Sequence, residues 1–202
     1  LFAFKSIFKS LQYASSLLKS KPLQCILLRS CKESRFYIHF SVRKIRKYDG
    51  ESYEYDDNDY VQIMQINLRI GIWNANGLSN HKNEIEIFLK NNNIDILLIS
   101  ESHFTSQTYF KINRFDTIAA NHPDNRAHAG AAILIKSSIK YEVLDPFEEP
   151  HLQAAGIRIQ SNNNFLNIFW IYFPPRHNVK CQQYDDFFQN LGSKFFVGCD
   201  FN

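Results

Sequence analysis

Short apolar runs separated by polar turns dominate the chain from about residue 66, and they predict an α/β domain. The run Leu68–Trp73 has the length of a strand, and the almost wholly apolar run Ile94–Ile99 is typical of a strand buried on both faces. Between them, apolar residues at helical spacing predict a helix that Ser79 or Asn80 caps. This strand–helix–strand order predicts a right-handed crossover with both strand ends at one edge of a sheet.

Five further apolar runs predict strands that follow one another without room for crossover helices, so we expect antiparallel neighbours. These strands are Phe115–Ala120, Gly130–Lys136, Tyr141–Leu144, Leu152–Gln160 and Phe165–Phe173. A second helix is predicted at Lys180–Leu191, and a last buried strand at Phe195–Cys199. The pattern indicates a mixed sheet with flanking helices.

Residues 1–60 differ in composition and are predicted to form a poorly ordered extension, separate from the domain at 66–202. Residues 1–47 carry eleven Lys or Arg and one acid, Glu33, whereas residues 48–59 carry six acids and no base. One interpretation is an organelle transit peptide, because the segment is Ser-rich, basic and helically patterned. The other, which we favour, is upstream sequence translated in frame, with Met64 as the true start.

Composition narrows the class of protein without identifying a partner. The apolar share of 45% and the charged share of 21% are ordinary for a soluble globular protein. No run approaches 18 apolar residues, so no membrane partner is expected. The net charge of +3 comes from the extension and gives no argument that the domain holds nucleic acid. The cysteines lack zinc-like spacing and are predicted to be free thiols.

Polar segments follow four of the predicted strands, and we expect them to meet at one site. These segments are Trp73–Leu78, Ser100–His103, Tyr172–Pro175 and Gly198–Asn202. Asn74 and Glu101 would lie side by side, because parallel strands end at the same edge. An ionised Asp200 can take a proton from water, and the Asn202 amide can hold that water or a phosphoryl oxygen. A single carboxylate among neutral amides suits Mg²⁺, with Mn²⁺ as the alternative.

These four segments, in this order and spacing, resemble the first half of the endonuclease/exonuclease/phosphatase superfamily over about residues 66–202. The resemblance implies a deoxyribonuclease I-like fold of the α/β class, a four-layer αββα sandwich of mixed sheets, truncated here after Asp-Phe-Asn. Within the superfamily, four stretches resemble endonuclease domains of jockey-like non-LTR retrotransposons. They are Asn-Ala-Asn-Gly-Leu at 74–78, Glu-Ser-His-Phe at 101–104, Ala-Ile-Leu-Ile-Lys at 132–136 and Tyr-Phe-Pro-Pro at 172–175.

The resemblance also implies roles for individual residues. Glu101 and Asn74 would bind the metal, and Asp200 would align or deprotonate the attacking water. Asn202 would hold a phosphoryl oxygen as negative charge grows, and Tyr172 would donate its hydroxyl to the scissile phosphate. These five residues form the predicted catalytic set.

Asn76 and His103 are weaker candidates for contacts with phosphate or DNA. Each assignment has an ordinary structural alternative: turn residues for Asn74 and Asn76, a solvated loop acid for Glu101, and a core aromatic for Tyr172. His103 has a packing role as its alternative. No role is predicted for the other histidines of the domain, His81, His122, His128, His151 and His177.

The function implied by the resemblance is Mg²⁺-dependent nicking of double-stranded target DNA, after which the freed 3′ hydroxyl primes reverse transcription of element RNA. A reverse transcriptase domain downstream and a nuclear location are expected for the full-length protein, with a mitochondrial transit peptide as the minor alternative. Other interpretations are an apurinic-type repair endonuclease, a phosphomonoesterase, or a non-enzymatic decayed element. The family's closing Ser-Asp-His segment does not occur in these 202 residues. We therefore expect this fragment alone to be inactive and aggregated or molten.

Overall fold

The structure is a computed structural model, and it describes residues 36–41, 67–161, 164–175, 177, 179–191 and 195–201. Within these ranges the chain forms nine strands, two α-helices and one 3₁₀ turn. The strands are β1 Phe36–Ser41, β2 Asn67–Asn74, β3 Ile96–Ser100, β4 Phe115–Ala120, β5 Ala131–Lys136, β6 Tyr141–Glu149, β7 Leu152–Ser161, β8 Asn164–Phe173 and β9 Phe195–Phe201. The helical elements are the 3₁₀ turn Leu78–His81, α1 Lys82–Asn91 and α2 Cys181–Gln189.

The described strands form two mixed sheets. The first has the order β1-β2-β3-β5-β4, in which β2 and β3 are parallel and the other neighbours are antiparallel. The second has the order β6-β7-β8-β9, in which only β8 and β9 are parallel. The consecutive pairs β4–β5, β6–β7 and β7–β8 are antiparallel, as the lack of crossover helices predicted. β1 falls within the predicted extension 1–60, and it pairs antiparallel with β2 along its whole length.

The two sheets pack face to face over an apolar interior. Alternate residues of β2, β3 and β5, among them Ile72, Leu98 and Ile133, contact alternate residues of β7 and β8, such as Ile157 and Ile168. These side chains are almost fully buried. The period of two along each strand places the same residues on one inner face throughout. The largest apolar cluster of the described residues is therefore the layer between the sheets.

A helix covers the outer face of each sheet. Ile85 and Leu89 of α1 pack against β3, whose second apolar face includes Leu97. Phe187 of α2 packs against the outer side of β8, where its ring meets that of Phe169 at 6.0 Å between centroids. The layer order is thus helix, sheet, sheet, helix, and the predicted αββα sandwich of mixed sheets is confirmed.

The predicted cap of the first helix is wrong. Ser79 and Asn80 lie inside the 3₁₀ turn, and α1 begins at Lys82 after His81, which makes no capping hydrogen bond through its side chain. Gly77 directly precedes the 3₁₀ turn, and its φ of +98° suits glycine. The i→i+3 hydrogen bonds of the 3₁₀ turn use the first backbone N–H groups, so the α-helix starts later than its apolar spacing indicates.

Two predicted element ends also move. β6 continues beyond Leu144 to Glu149, with an irregularity between Leu144 and Phe147 where Pro146 cannot donate to the ladder. α2 begins at Cys181, one residue after the predicted start, and Gln183 Oε1 accepts the backbone N–H of the preceding residue, Lys180, at 2.8 Å.

No helix in the described residues has the length and hydrophobicity needed to cross a membrane. Cys199 is buried, and the prediction of free thiols stays a prediction for the cysteines.

Candidate active site

The ends of β2 and β3 bring Asn74 and Glu101 into direct contact. The two strands are parallel, and Asn74 pairs with Ser100, the residue before Glu101. Asn74 Nδ2 donates a hydrogen bond to Glu101 Oε1 at 2.9 Å, while Asn74 Oδ1 accepts the backbone N–H of Asn76 at 3.2 Å. The side-chain amide of Asn74 therefore bonds both a carboxylate oxygen of Glu101 and the backbone of the turn that follows β2. The prediction that Asn74 and Glu101 lie side by side is confirmed.

Backbone hydrogen bonds extend this pairing beyond the strands. The N–H of Gly77 donates to the carbonyl of Glu101 at 2.9 Å, and the N–H of Leu78 donates to the carbonyl of Ser102 at 3.0 Å. The loop after β2 and the loop after β3 are therefore held together residue by residue. Because both ends of this contact are fixed by the sheet, the position of the Glu101 backbone is defined by the fold.

A third loop, residues 121–130 between β4 and β5, completes this edge of the sheet. Its carbonyls at Gly130 and Ala129 accept the backbone N–H groups of Ser102 at 3.3 Å and His103 at 3.0 Å. Gly130 has a φ of +88°, and a Cβ there would lie 2.6 Å from Ser102 Oγ. Glycine is therefore required for the close approach of the two loops.

Three of the seven non-glycine residues with positive φ in the described part of the chain are candidate site residues. Asn76, Glu101 and His103 have φ values of +42°, +54° and +56°. Asparagine and histidine tolerate this left-handed region better than glutamate does, so Glu101 is the least expected residue there. Backbone strain of this kind persists only where the surrounding structure enforces it, and it is frequent at functional sites.

Glu101 also has a histidine neighbour. His103 Nε2 lies 4.0 Å from Glu101 Oε2, and the side chains of His103 and Glu101 are 27% and 20% exposed. Burial lowers the pKa of His103, an effect that the charge of Glu101 opposes and that of His128 reinforces. The lowered pKa favours the neutral imidazole, which can donate one hydrogen bond without adding positive charge.

The second sheet reaches the same end of the sandwich. Tyr172 of β8 pairs with Asp200 of the parallel strand β9. Two residues before Tyr172, Trp170 Nε1 donates a hydrogen bond to Ser100 Oγ of the first sheet at 3.0 Å. Since Ser100 directly precedes Glu101, the carboxyl ends of β3 and β8 face each other across the interior, and β9 ends beside them. The described residues of all four predicted segments thus lie at one end of the fold.

Asp200 was expected just beyond the last strand, and this is wrong: β9 runs to Phe201 and Asp200 is a paired residue within it. Pairing with β8 continues as far as β8 itself extends, which the apolar run 195–199 did not reveal. Tyr172 is 5% exposed and packs in the layer between the sheets, as its core-aromatic alternative described. Asn202 and the side chain of Asp200 lie outside the described residues, so the roles assigned to them stay predictions.

Three residues that support this region were missed by the sequence analysis. Ser100 and Trp170 connect the two sheets, and Gln153, which is fully buried, accepts the backbone N–H of Gly130 at 3.4 Å. Each residue offered one signal in the sequence: an indole N–H, hydroxyl or amide within an apolar strand requires a hydrogen-bond partner once it is buried. The pattern of polar residues within apolar strands could not identify those partners, which come from the opposite sheet.

The donor set fits a hard divalent cation. Glu101 offers Oε2, the carboxylate oxygen that Asn74 does not contact, and Mg²⁺ is commonly bound through one or two carboxylates while it keeps several waters. Asn74 turns its amide nitrogen toward Glu101, and an amide nitrogen is a donor that does not bind cations. Asn74 therefore orients the carboxylate, and only its Oδ1, already shared with Asn76, could reach a metal.

Comparisons with known proteins place these features in context. A sequence profile of the Endonuclease/Exonuclease/phosphatase family matches residues 71–202. The chain is 30% identical over 140 residues to the RNA-directed DNA polymerase from mobile element jockey of Drosophila melanogaster, covering 69% of this chain and 15% of that protein. It is 35% identical over 136 residues to the "Probable RNA-directed DNA polymerase from transposon X-element" of the same species, covering 67% of this chain and 15% of that protein. The chain thus spans about 15% of the length of these relatives.

Among solved structures, the endonuclease domain of TRAS1, a telomere-specific non-LTR retrotransposon, is similar with a TM-score of 0.49 and 15% sequence identity. The superposition covers 65% of this chain and 57% of that domain.

Proposed function

Because the chain belongs to the endonuclease/exonuclease/phosphatase family, we propose that it carries the metal-binding part of an Mg²⁺-dependent DNA endonuclease. The resemblance inferred from the four strand-end segments is confirmed by the family profile and by the jockey and X-element relatives. The observation that carries the proposal is the 2.9 Å contact between Asn74 and Glu101 at the paired ends of β2 and β3. It presents one oriented carboxylate at the edge where α/β folds bind ligands.

Each candidate residue has a chemical task in this proposal. Glu101 would hold the cation, and when bound the cation would polarise a phosphoryl oxygen as a Lewis acid. His103 would donate a hydrogen bond to the phosphate beside Glu101. Asp200 would take a proton from the attacking water, with Asn202 and the Tyr172 hydroxyl as donors to the developing negative charge.

Double-stranded DNA is the proposed substrate, and the proposed task is the nick that begins insertion of a retrotransposon. Support comes from the relatives, whose names describe RNA-directed DNA polymerases from mobile elements. On this proposal a reverse transcriptase would act on the freed 3′ hydroxyl with element RNA as template, in the nucleus.

Nicking of supercoiled plasmid tests the proposal. The assay needs a polypeptide that extends this chain through the family's closing segment, with Mg²⁺ present. We expect relaxed circles whose nicks a DNA polymerase can extend, and a loss of at least about a hundredfold in rate for Glu101→Ala and for Asp200→Ala. Nicking that survives both substitutions would refute the residue assignment. Cleavage confined to abasic duplexes, or to soluble phosphate monoesters, would instead favour a repair endonuclease or a phosphatase.

A further inference from the structure

Three side chains outside the candidate active site form a compact group with the chemistry of metal ligands. His122, Asp124 and His128 lie on the loop between β4 and β5, and we refer to them as the loop cluster. His122 Nδ1 is 2.8 Å from Asp124 Oδ1, and His128 Nε2 is 2.8 Å from Asp124 Oδ2. One ligand atom from each residue lies within 4.8 Å of the others. One carboxylate is therefore shared between two imidazoles.

The carboxylate of the loop cluster is held in place by the backbone as well as by the two imidazoles. Asp124 Oδ1 accepts the backbone N–H of Arg126 at 2.9 Å. The same carboxylate therefore contacts one backbone N–H group and two imidazoles. Each imidazole nitrogen that faces Asp124 at 2.8 Å can carry the proton of a hydrogen bond or can instead share a cation with the carboxylate. The same three side chains can therefore hold either the protons of two hydrogen bonds or one shared cation.

We propose that His122, Asp124 and His128 bind a divalent transition metal of the Zn²⁺ class, at a site separate from the Glu101 carboxylate. Two imidazole nitrogens and one carboxylate oxygen are ligands that suit Zn²⁺, whereas Mg²⁺ prefers oxygen alone. Metal–ligand bonds of about 2.0–2.2 Å in a tetrahedron require ligand atoms roughly 3.4 Å apart. In the loop cluster each imidazole nitrogen lies 2.8 Å from an oxygen of Asp124, so the two rings would move outward by about 0.6 Å when a metal binds.

The loop that carries the cluster is fixed on both sides. The backbone N–H of Asn121 donates to Glu148 Oε1 of β6 at 2.7 Å. Asn125 Oδ1 accepts the backbone N–H of Ser106, which follows the Glu101 loop, at 2.7 Å. Less ordering of the chain is therefore needed when the metal binds than for ligands on an unrestrained segment. The side chain of His122 is 12% exposed and that of His128 is 46% exposed, so the metal would enter from the His128 side.

A metal here would act as a brace for the neighbouring site. Ala129, next to His128, accepts the backbone N–H of His103, so the loop cluster is one step from the segment that holds Glu101. Cross-linking residues 122 and 128 through a metal would restrict the loop on which that hydrogen bond depends. The inference concerns metal binding alone and does not depend on nuclease activity.

Co²⁺ is the probe for this site, because its visible ligand-field absorption reports coordination directly. A purified polypeptide that contains the full chain is treated with a chelator and titrated with Co²⁺ in excess Mg²⁺, which occupies sites that prefer oxygen ligands. We expect one tightly bound Co²⁺ with intense tetrahedral-type absorption, and loss of that absorption when Zn²⁺ is added. The variants His122→Ala/His128→Ala and Asp124→Asn should each weaken Co²⁺ binding at least about tenfold.

Two controls make the result decisive. His177→Ala removes an exposed histidine outside the loop cluster and should leave the Co²⁺ titration unchanged. If circular dichroism shows that the double variant is unfolded, His128→Asn tests the site instead, because it changes only a half-exposed side chain. Equal Co²⁺ binding by wild type and His128→Asn, or no tetrahedral Co²⁺ in the folded wild type, would overturn the proposal.

Discussion

The indole nitrogen of Trp170 donates a hydrogen bond to the hydroxyl oxygen of Ser100 across the interior of the sandwich, at 3.0 Å. Both residues are fully buried, and they belong to different sheets. Ser100 pairs with Asn74 and precedes Glu101, so this bond connects the second sheet to the residues of the candidate active site. A buried polar pair of this kind specifies how the two sheets align.

Trp170→Phe should lower the free energy of unfolding by about 1–3 kcal/mol, because Ser100 Oγ loses its donor inside the core. Urea denaturation measures the change. Ser100→Ala provides the second side of a double-mutant cycle, and the double variant should lose at least about 0.5 kcal/mol less than the sum of the single variants. Strict additivity would show that the hydrogen bond contributes nothing specific.

Gly198→Ala should destabilise the protein by about 1–3 kcal/mol through overpacking. A Cβ at position 198 would lie 2.4 Å from Cζ3 of Trp170, within the rigid six-membered ring. The same substitution should cost less in a Trp170→Phe background, because the smaller side chain leaves room for the methyl group. Ser138→Ala, at an exposed turn, is the control for the unfolding measurement. A neutral Gly198→Ala would contradict the packing described for β8 and β9.

Tyr141 should be among the last tyrosines to ionise. Burial and the hydrogen bond from its hydroxyl to Asp116 Oδ2, 3.1 Å long, raise the pKa of Tyr141 to about 12. Since the protonated form is favoured in the folded state, its stabilising effect is complete below about pH 10 and is lost as the pH rises toward 12. The absorbance titration of Tyr141→Phe, subtracted from wild type, should isolate a phenol centred near pH 12. A difference centred at the ordinary tyrosine value would refute the contact with Asp116.

Asn74→Ala should raise the Mg²⁺ concentration needed for half-maximal nicking by about ten- to a hundredfold, because Glu101 loses the amide that orients it. The measurement is the Mg²⁺ dependence of plasmid nicking. Activity at saturating Mg²⁺ should fall less than the apparent affinity does. An unchanged Mg²⁺ dependence would mean that Asn74 only stabilises the turn, the alternative interpretation of this residue.

The apolar pattern predicted most strands and the Asn74–Glu101 contact because these depend on local periodicity and on the parallel pairing of β2 and β3. The division into two sheets came from the family resemblance, since no local pattern states which strand faces which across a core. The Trp170–Ser100 bond spans 70 residues of sequence and was invisible for the same reason.

The loop cluster shows a different limit of sequence reasoning. His122, Asp124 and His128 lack the paired spacing of common zinc motifs, so their histidines received no role. They converge because the loop folds back on itself, with left-handed backbone at Asn125 and Ala129. Alanine rarely adopts this conformation, so the residues of the loop do not predict the turn at Ala129.

The central claim is that Glu101 holds a hard cation needed for cutting DNA, and Mg²⁺-dependent nicking by Glu101→Gln tests it most directly. This substitution keeps the side-chain shape and its hydrogen bond from Asn74, and removes only the charge. Glu86→Gln, on the exposed face of α1, is the matched control. We predict saturable Mg²⁺ dependence for wild type and Glu86→Gln, and at least about a hundredfold slower nicking for Glu101→Gln. Identical Mg²⁺ curves for all three proteins would contradict the claim.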